Sequence, residues 1–305
     1  MTKQPLADHT GTTSAPLDAA DTAPGSPEHE YNSRLWAPDY AQTLSRHRES
    51  GQAARCAPGV RIDLAWGAQE RQKLDLFLPP AAAGPLVVHI HGGFWQVVAS
   101  GKDGGSFLAP GFVAHGCAFA AVQYTLCPQI GMDGMVQQLR EAIAWIWSEL
   151  PQLGYSPGRT VLVGHSAGAH LAAMLALTDW KQSVHPARSI AGACGVSGLY
   201  DLRPLLVTSF NLALGMDPEC AARNSPLDHV NKDAPPMLLA VGGLESASFL
   251  QQTAGFAEAL EHHGVRVQQS VLTGRNHFDA IEVLTDAAHP LTRSVLRLCD
   301  GEGAA

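Results

Sequence analysis

Short apolar runs and helical stripes alternate along most of this chain. Residues 85–91 (PLVVHIH) form an almost continuous apolar run, as in a strand covered on both faces. Residues 132–150 carry apolar side chains every three or four positions, which predicts a helix. The same order continues through predicted strands 117–124, 160–164, 189–196, 237–241 and 265–272 and predicted helices 107–115, 167–177 and 246–263. This alternation predicts a mainly parallel sheet with helices on both faces.

Three segments depart from the alternation. Residues 60–66 and 73–78 alternate apolar and polar positions around the polar GAQER, which predicts an antiparallel hairpin at a sheet edge. Residues 202–230 interrupt the pattern and predict a small cap over the carboxyl edge of the sheet. Residues 1–28 are polar and rich in Pro, Gly, Ser and Thr, which predicts a disordered leader. Residues 29–305 are then expected to form a single domain.

The composition of the chain narrows the range of expected binding partners. The 305 residues are 46% hydrophobic with a formal charge of −8. The lack of a basic stripe argues against nucleic acid and anionic membranes, and no apolar run approaches the ~18 residues that span a bilayer. The N-terminus shows no secretory signal and the six cysteines are dispersed, which favours the cytoplasm. The expected partner is a small-molecule substrate, with no metal or cofactor; a homodimer is left open.

The motif GHSAG, residues 164–168, joins a predicted strand to a predicted helix. In a G-x-S-x-G turn the serine occupies a sharp, strained bend, so its neighbours two residues away must lack side chains. The bend holds the hydroxyl out over the sheet, and the helix N-terminus points free N–H groups at developing negative charge. Ser166 is therefore the candidate nucleophile for acyl transfer. The alternative is a glycine-tolerant turn with an idle serine.

A second glycine motif, HGGFW at residues 91–95, follows the apolar strand 85–91. Acyl transfer needs backbone N–H donors aimed at the oxyanion, and residues without side chains let the backbone approach it closely. The predicted donors are the amides of Gly93, Phe94 and Ala167. The alternative is an ordinary glycine turn after a strand.

The general base is predicted to be a histidine late in the chain, because the triad order in this arrangement is serine, acid, histidine. His277, in the segment GRNHF, follows the last predicted strand by a few residues. His289 lies further on, and His262 and His263 precede that strand. His277 is therefore the best placed.

The acid of the triad is expected just after strand 237–241, where the sequence reads GGLES and Glu245 is the only carboxylate. A buried carboxylate fixes the imidazole tautomer and stabilises the imidazolium. The alternative is that Glu245 merely caps the following helix. Asp279 is a rival, but it lies two residues from His277 and is poorly placed to face its ring. Asp233 precedes the strand and should lie at the opposite end of the sheet.

The segments HGGFWQ, GHSAGAHLA, SGLYDLRPL, GGLESASFLQQTAGFAEAL and GRNHFD together resemble the kynurenine formamidase (arylformamidase) branch of the α/β-hydrolases. Its HGG-x-W replaces the HGGG of hormone-sensitive-lipase-like esterases, and the resemblance runs from about Tyr31 to the C-terminal helix. It implies an α/β-hydrolase fold and a set of functional residues. These are the triad Ser166, Glu245 and His277, and the oxyanion donors Gly93, Phe94 and Ala167. Characterised eukaryotic members have Asp where Glu245 stands.

The resemblance also implies a substrate, an aryl formamide such as N-formylkynurenine. A formyl group has no side chain, so the acyl pocket is expected to be closed off, with Phe94 and Trp95 as its candidate wall. Trp95 or Tyr124 are candidates to face an aryl leaving group, and His91 is a further candidate substrate contact. Ordinary core packing is the alternative for these aromatic residues.

Three functions remain open at this point. The first is hydrolysis of an aryl formamide through an acyl-enzyme. The second is a carboxylesterase for short acyl esters, which would share the same apparatus. The third is an inactive hydrolase fold used as a binding module, and an intact triad argues against it.

Overall fold

A single mixed sheet organises the computed structural model, which describes residues 23–183, 185 and 189–301. Its strand order is β1-β2-β4-β3-β5-β6-β7-β8. The first two strands pair antiparallel with each other, β2 pairs antiparallel with β4, and all later pairs are parallel. The strands are β1 (Arg61–Ala65), β2 (Lys73–Phe77), β3 (Ala83–Ile90), β4 (Ala118–Val122), β5 (Ser156–His165), β6 (Ile190–Val196), β7 (Met237–Gly242) and β8 (Val267–Leu272).

Helices connect the parallel strands. The longest, α4, has its buried residues on one stripe, as its sequence pattern predicted. The helices are α1 (Pro27–Tyr31), α2 (Tyr40–Arg55), α3 (Ala109–Ala114), α4 (Met132–Glu149), α5 (Ala167–Ala176), α6 (Asn211–Leu214), α7 (Pro218–Arg223), α8 (Ala247–His262) and α9 (Pro290–Asp300). Short 3-10 helices add Ser33–Trp36, Lys102–Gly104, Ser106–Leu108, Trp180–Gln182, Arg203–Val207, Pro226–His229 and Ala280–Thr285. None of the helices within the described ranges combines the length and apolarity needed to cross a bilayer.

The predicted architecture, a mostly parallel sheet with antiparallel N-terminal edge strands, is confirmed. The observed ends of some strands and helices differ from the predicted ones where the residues are not markedly apolar. The strand predicted at 160–164 begins at Ser156, because residues 156 and 157 pair with residues 83 and 84 despite carrying no apolar run. The helix predicted at 107–115 is a 3-10 turn followed by α3, which has Pro110 in its first turn.

Most of the leader predicted at residues 1–28 lies outside the described residues. Its predicted end is two residues too late, because α1 begins at Pro27 after the N-cap Ser26. Glu28 is buried, and its carboxylate accepts hydrogen bonds from the backbone N–H and the hydroxyl of Ser209 at 2.7 and 2.9 Å. These contacts fasten the start of the described chain to the segment that the sequence predicted as a cap.

That segment, residues 202–230, consists of α6, α7 and two 3-10 turns. It packs on the loop after β3, where the rings of Phe94 and Phe210 stack in parallel with centroids 4.1 Å apart. The side-chain amide of Gln96 also donates to the Phe210 carbonyl at 3.2 Å. On its other side, the His170 ring makes a 2.6 Å hydrogen bond to the Asn224 carbonyl. The segment is therefore joined to the motif HGGFW through Phe94 and to α5 through His170.

Both faces of the sheet are buried, since alternate residues of each strand point to opposite sides. In β3, Val88 and Ile90 enter one apolar cluster, whereas Val87 enters the other. Full burial explains why this strand reads as a continuous apolar run. The parallel strands β3, β5, β6, β7 and β8 also end at the same edge of the sheet. The loops that follow them are thereby brought together at one site.

A buried ion cluster lies beneath α2 and the loop around residue 102. Asp75 on β2 is fully buried, and Lys102 is 4% exposed. The Lys102 ammonium lies 2.8 Å from one oxygen of Asp75, and Arg55 Nε lies 2.8 Å from the other. Because Arg55 ends α2, the cluster links that helix and the loop to the sheet. Such buried charges persist only when each is paired.

Candidate active site

Ser166 lies in the bend between β5 and α5, with φ 55° and ψ −123°. This left-handed conformation is strained for a residue with a side chain and typical of functional bends. The flanking glycines are required by close packing. A Cβ at Gly168 would lie 2.0 Å from the Ile90 carbonyl oxygen, and one at Gly164 would lie 2.2 Å from the Gly168 carbonyl oxygen. The two glycines therefore permit the tight turn at Ser166 that the motif predicted.

His277 and Glu245 reach this serine from two other loops. The Nε2 atom of His277 lies 3.0 Å from Ser166 Oγ, and its Nδ1 atom lies 2.6 Å from Glu245 Oε2. An ionised carboxylate only accepts hydrogen bonds, so Nδ1 carries the proton and Nε2 is free to accept from the hydroxyl. All three residues are at least 95% buried. The structure thus assembles the three side chains in the relay expected for a nucleophile, a base and an orienting acid.

The carboxylate of Glu245 is held by two further donors. Its Oε1 atom accepts from the Ser197 hydroxyl and from the Gly242 backbone N–H, both at 2.6 Å. The glutamate does not cap the next helix, since Ser246 takes that position and accepts from the Phe249 N–H. Sequence reasoning missed Ser197. It directly follows β6, the strand between those carrying the serine and the acid, and that position was the available signal.

The other candidates for base and acid have different partners. Asp279 accepts from the Asn276 backbone N–H at 2.6 Å and lies 3.6 Å from Arg275, and burial raises the pKa of its carboxyl. Asp233 lies exposed before β7, and His262 and His263 are exposed at the end of α8. His289 caps α9 by accepting from the Leu291 N–H. None of these side chains is hydrogen-bonded to His277 or Ser166 within the described chain.

The backbone of HGGFW turns sharply beside the serine. Gly93, Phe94 and Trp95 all have positive φ, at 112°, 48° and 58°. A Cβ on Gly92 would meet Ser166 Cβ at 3.1 Å, so the loop lies directly against the nucleophile.

The amides of Gly93, Phe94 and Ala167 donate no hydrogen bond to any described residue. Free N–H groups fixed beside a nucleophile are the donors that a developing oxyanion needs.

A cavity of about 850 Å³ opens in front of Ser166. One face of α2 forms part of its wall, with Tyr40, Leu44, His47 and Arg48 at the spacing of successive helical turns. The volume is typical of a small-molecule site. The remaining wall comes from the loops 91–107 and 277–281, from Ser33 and Arg34, and from His89 and His165.

Comparison with known proteins identifies the lineage. The chain is 36% identical to kynurenine formamidase from Danio rerio over 285 residues, covering 89% of this chain and 94% of that protein. It is also 36% identical to kynurenine formamidase from Salmo salar, with 88% and 92% covered. The family model BD-FAE matches residues 74–260. This chain belongs to the kynurenine formamidase family of α/β-hydrolases. The resemblance inferred from the motifs is confirmed.

Solved structures agree with this fold. A candidate thioesterase from Silicibacter sp. TM1040 superposes with a TM-score of 0.79 at 31% identity, covering 88% of this chain and 98% of that one. Esterase B from Lactobacillus rhamnosis superposes with a TM-score of 0.69 at 19% identity, covering 88% and 95%. The second likeness shows the shared α/β-hydrolase fold alone.

Two aromatic residues of this family member do not lie where sequence reasoning expected. Trp95 and Tyr124 are both fully buried and outside the cavity wall. The Trp95 indole donates to the His170 ring at 3.2 Å, and the Tyr124 hydroxyl donates to the His91 carbonyl at 2.7 Å. The structure therefore contradicts their prediction as substrate contacts, and the core-packing alternative holds. Trp95 thereby links the HGGFW loop to α5, and Tyr124, just after β4, holds the first residue of that loop. His91 and Phe94 do line the cavity.

The cavity wall also contains His89 and His165, which sequence reasoning did not single out, beside the predicted His91. Burial lowers the pKa of His89 to about 3 and that of His91 to about 4, and it lowers the pKa of His165 well below its usual value. The His165 ring bonds the His277 carbonyl at 2.7 Å and, being neutral, adds no positive charge that would oppose an imidazolium at His277. Among the described residues, no three His, Cys, Asp or Glu side chains are grouped to hold a metal ion.

Buried neutral histidines predict acid sensitivity. Burial lowers the pKa of His170 to about 4 from a usual 6.5, so between these values the unfolded chain binds the proton and the folded chain does not. The contribution of neutral His170 to the free energy of unfolding is therefore fully present above pH 6.5. It is lost progressively as the pH drops towards 4. At pH 5 the expected loss is about 2 kcal/mol for this residue. Urea unfolding at pH 7 and pH 5 measures this loss. Between the two pH values, the free energy of unfolding should fall less in His170→Gln than in the parent protein. An identical loss in both proteins would contradict the prediction.

Proposed function

We propose that this chain is a serine hydrolase that removes the formyl group from an aryl formamide such as N-formylkynurenine. The observation that carries the proposal is the continuous relay from Ser166 Oγ through His277 to Glu245, beside three unengaged backbone amides. The kynurenine formamidases of Danio rerio and Salmo salar supply the substrate class by family membership.

The first half of the proposed reaction forms an acyl-enzyme. Ser166 Oγ attacks the formyl carbon while its proton passes to His277 Nε2. The amides of Gly93, Phe94 and Ala167 donate to the resulting oxyanion. Glu245 keeps the imidazole in the required tautomer and stabilises the imidazolium. When the tetrahedral intermediate collapses, the carbon–nitrogen bond breaks and His277 protonates the leaving aryl amine.

The second half releases formate. Water attacks the formyl-enzyme while His277 accepts its proton, and the serine oxygen then leaves with that proton. The neutral state of His165, which burial enforces by lowering its pKa, keeps the surroundings of His277 free of a second cation. Phe94 is the proposed boundary of the acyl side, because its ring lines the cavity and is fixed by stacking on Phe210.

A carboxylesterase for short acyl esters is the second candidate. The cavity of about 850 Å³ has room for either substrate, because it must hold the leaving half of the molecule as well as the acyl group. Both reactions use the same relay and the same amides. An inactive fold used as a binding module would leave this relay without a purpose, so it is the weakest of the three functions.

Parallel assays separate these functions. Purified protein should hydrolyse N-formyl-L-kynurenine with a higher kcat/KM than p-nitrophenyl acetate or butyrate, and Ser166→Ala should abolish all three activities. Rapid turnover of the butyrate ester with an untouched formamide would refute the formamidase proposal and support the esterase. A fluorophosphonate probe that labels neither the parent nor Ser166→Ala would instead support the binding module.

The cellular setting is also a proposal. A cytoplasmic location is supported by six dispersed cysteines, and fractionation of the source cells tests it. The proposed partner is the small-molecule substrate alone, without nucleic acid or membrane. Self-association as a homodimer stays a prediction, which light scattering on the purified protein would test.

A further inference from the structure

We propose that Arg34 and Arg48 bind an anionic group of the substrate, a carboxylate carried by its amine half. This inference rests on the proposed formamidase function only in assigning the charge to that half. A formyl group carries no substituent that could hold a carboxylate. A carboxylate on such a substrate must therefore lie on the amine that leaves. The substrate class is then an aryl formamide bearing a free acid.

The charge of the cavity is opposite to that of the protein. The chain as a whole has a formal charge of −8, with 28 acidic against 20 basic residues. The described residues of the cavity wall nevertheless include Arg34 and Arg48 and no aspartate or glutamate. Clefts lined by one sign of charge attract ligands of the other sign. The cavity wall therefore favours binding of an anion, although the protein as a whole is negatively charged.

The two arginines also differ from Arg46 and Arg275 in having no carboxylate partner among the described residues. Arg46, two residues before Arg48, lies 3.2 Å from Glu282, and Arg275 lies 3.5 Å from the same carboxylate. No ion pair joins Arg34 or Arg48 to any described residue. Their charges are thus available to a ligand, whereas those of Arg46 and Arg275 are already balanced.

Local structure places both arginines, which are exposed to solvent, at the wall of the cavity. Arg48 extends from the face of α2 that also supplies Tyr40 and Leu44 to the wall. Arg34 lies in the preceding 3-10 helix, and its guanidinium carbon is 5.5 Å from the centre of the Tyr40 ring. An arginine packed against an aromatic face keeps its N–H groups free at the edge, where they can grip a carboxylate in a bidentate fashion.

The remaining titratable groups of the wall do not supply this charge. Burial lowers the pKa values of His47, His89, His91 and His165, so these rings are neutral at neutral pH. His47 is also bonded to Glu282 at 3.0 Å. The arginines are therefore the permanent cations of the described wall.

Charge-removing substitutions test the assignment. Arg34→Gln, Arg48→Gln and the double variant are assayed with N-formyl-L-kynurenine and with its carboxamide, which lacks only the negative charge. Each single variant should lower kcat/KM for the acid about 5-fold and the double variant about 25-fold, mainly through KM. Turnover of the carboxamide should change less than 2-fold, and added salt should narrow the difference between the two substrates.

The matched control is Arg266→Gln, which removes the same charge from an exposed residue just before β8, outside the cavity wall. It should leave the preference for the acid intact. Equal losses for acid and carboxamide in the cavity variants, or losses no larger than in this control, would overturn the proposal.

A pair of aryl esters separates this inference from the proposed function. If the parent protein hydrolyses neither formamide, the formamidase proposal fails. The variants are then compared on 3-acetoxybenzoate and 3-acetoxybenzamide, in which the leaving phenol carries or lacks the acid. A preference for the benzoate that disappears in the double variant supports the anion site regardless of the natural acyl group. Equal turnover of the two esters by the parent protein refutes it.

Discussion

Ser166→Ala is expected to lower kcat for the formamide by about 10⁶, to a residual rate set by substrate binding and the oxyanion donors. Alanine removes the nucleophilic oxygen that lies 3.0 Å from His277 Nε2. The fold should survive, because the methyl group still fits the bend and the Ser166 backbone N–H still donates to the Val196 carbonyl. Turnover is measured by release of the aryl amine, and circular dichroism checks the fold.

Ser148→Ala is the matched control for that variant. The Ser148 hydroxyl also lies close to a histidine, 2.7 Å from His185 Nε2, but this pair is exposed and has no orienting acid among the described residues. Its removal should leave kcat unchanged. Substantial activity in Ser166→Ala would show that the reaction does not pass through a seryl intermediate, and the proposed mechanism would then be abandoned.

Glu245→Gln is expected to lower kcat by about 10⁴ without unfolding the protein. An amide can turn its NH₂ group towards His277 Nδ1, which then loses its proton to Nε2. The imidazole in that tautomer cannot accept from the Ser166 hydroxyl. The amide oxygen can still accept from Ser197 and Gly242, as the carboxylate does at 2.6 Å. Steady-state kinetics with the formamide and a thermal melt measure the two effects.

Asp279→Asn tests whether Glu245 or Asp279 is the acid of the triad. Its carboxylate accepts from the Asn276 backbone N–H and makes a loose contact with Arg275, so an amide in its place should lower kcat by no more than a few-fold. Glu245→Asp adds a second check, since a shorter acid keeps the charge and should restore part of the lost activity. A larger loss in Asp279→Asn than in Glu245→Gln would mean that the acid has been misassigned.

Much of the sheet and its nucleophile could be predicted because the governing interactions are local. Close packing at Gly164 and Gly168 allows no side chain, so the motif itself encodes the bend at Ser166. Full burial of β3 is likewise visible as a run of apolar residues. His277 and Glu245 could be found because the order of strands determines which loops share an edge.

The supporting contacts could not be predicted because they join residues far apart in the chain. Trp95 bonds a histidine 75 positions later, and nothing near it in sequence shows that its ring points into the core. Ser197 reaches a carboxylate 48 positions later across the neighbouring strand. The charge of the cavity has the same origin, since Arg34 and Arg48 lie on a 3-10 helix and on α2, far in sequence from the loops that carry the triad.

The stacked rings of Phe94 and Phe210 constrain how relatives of this protein can diversify. One ring belongs to the loop that carries two of the three proposed oxyanion donors, and the other belongs to the segment 202–230, which interrupts the alternation of strands and helices. A chimera that imports this segment from another hydrolase removes the surface against which the donor loop rests. Changes in the range of accepted molecules and changes in catalytic power are therefore inherited together, and the two halves of the contact must be exchanged as a unit.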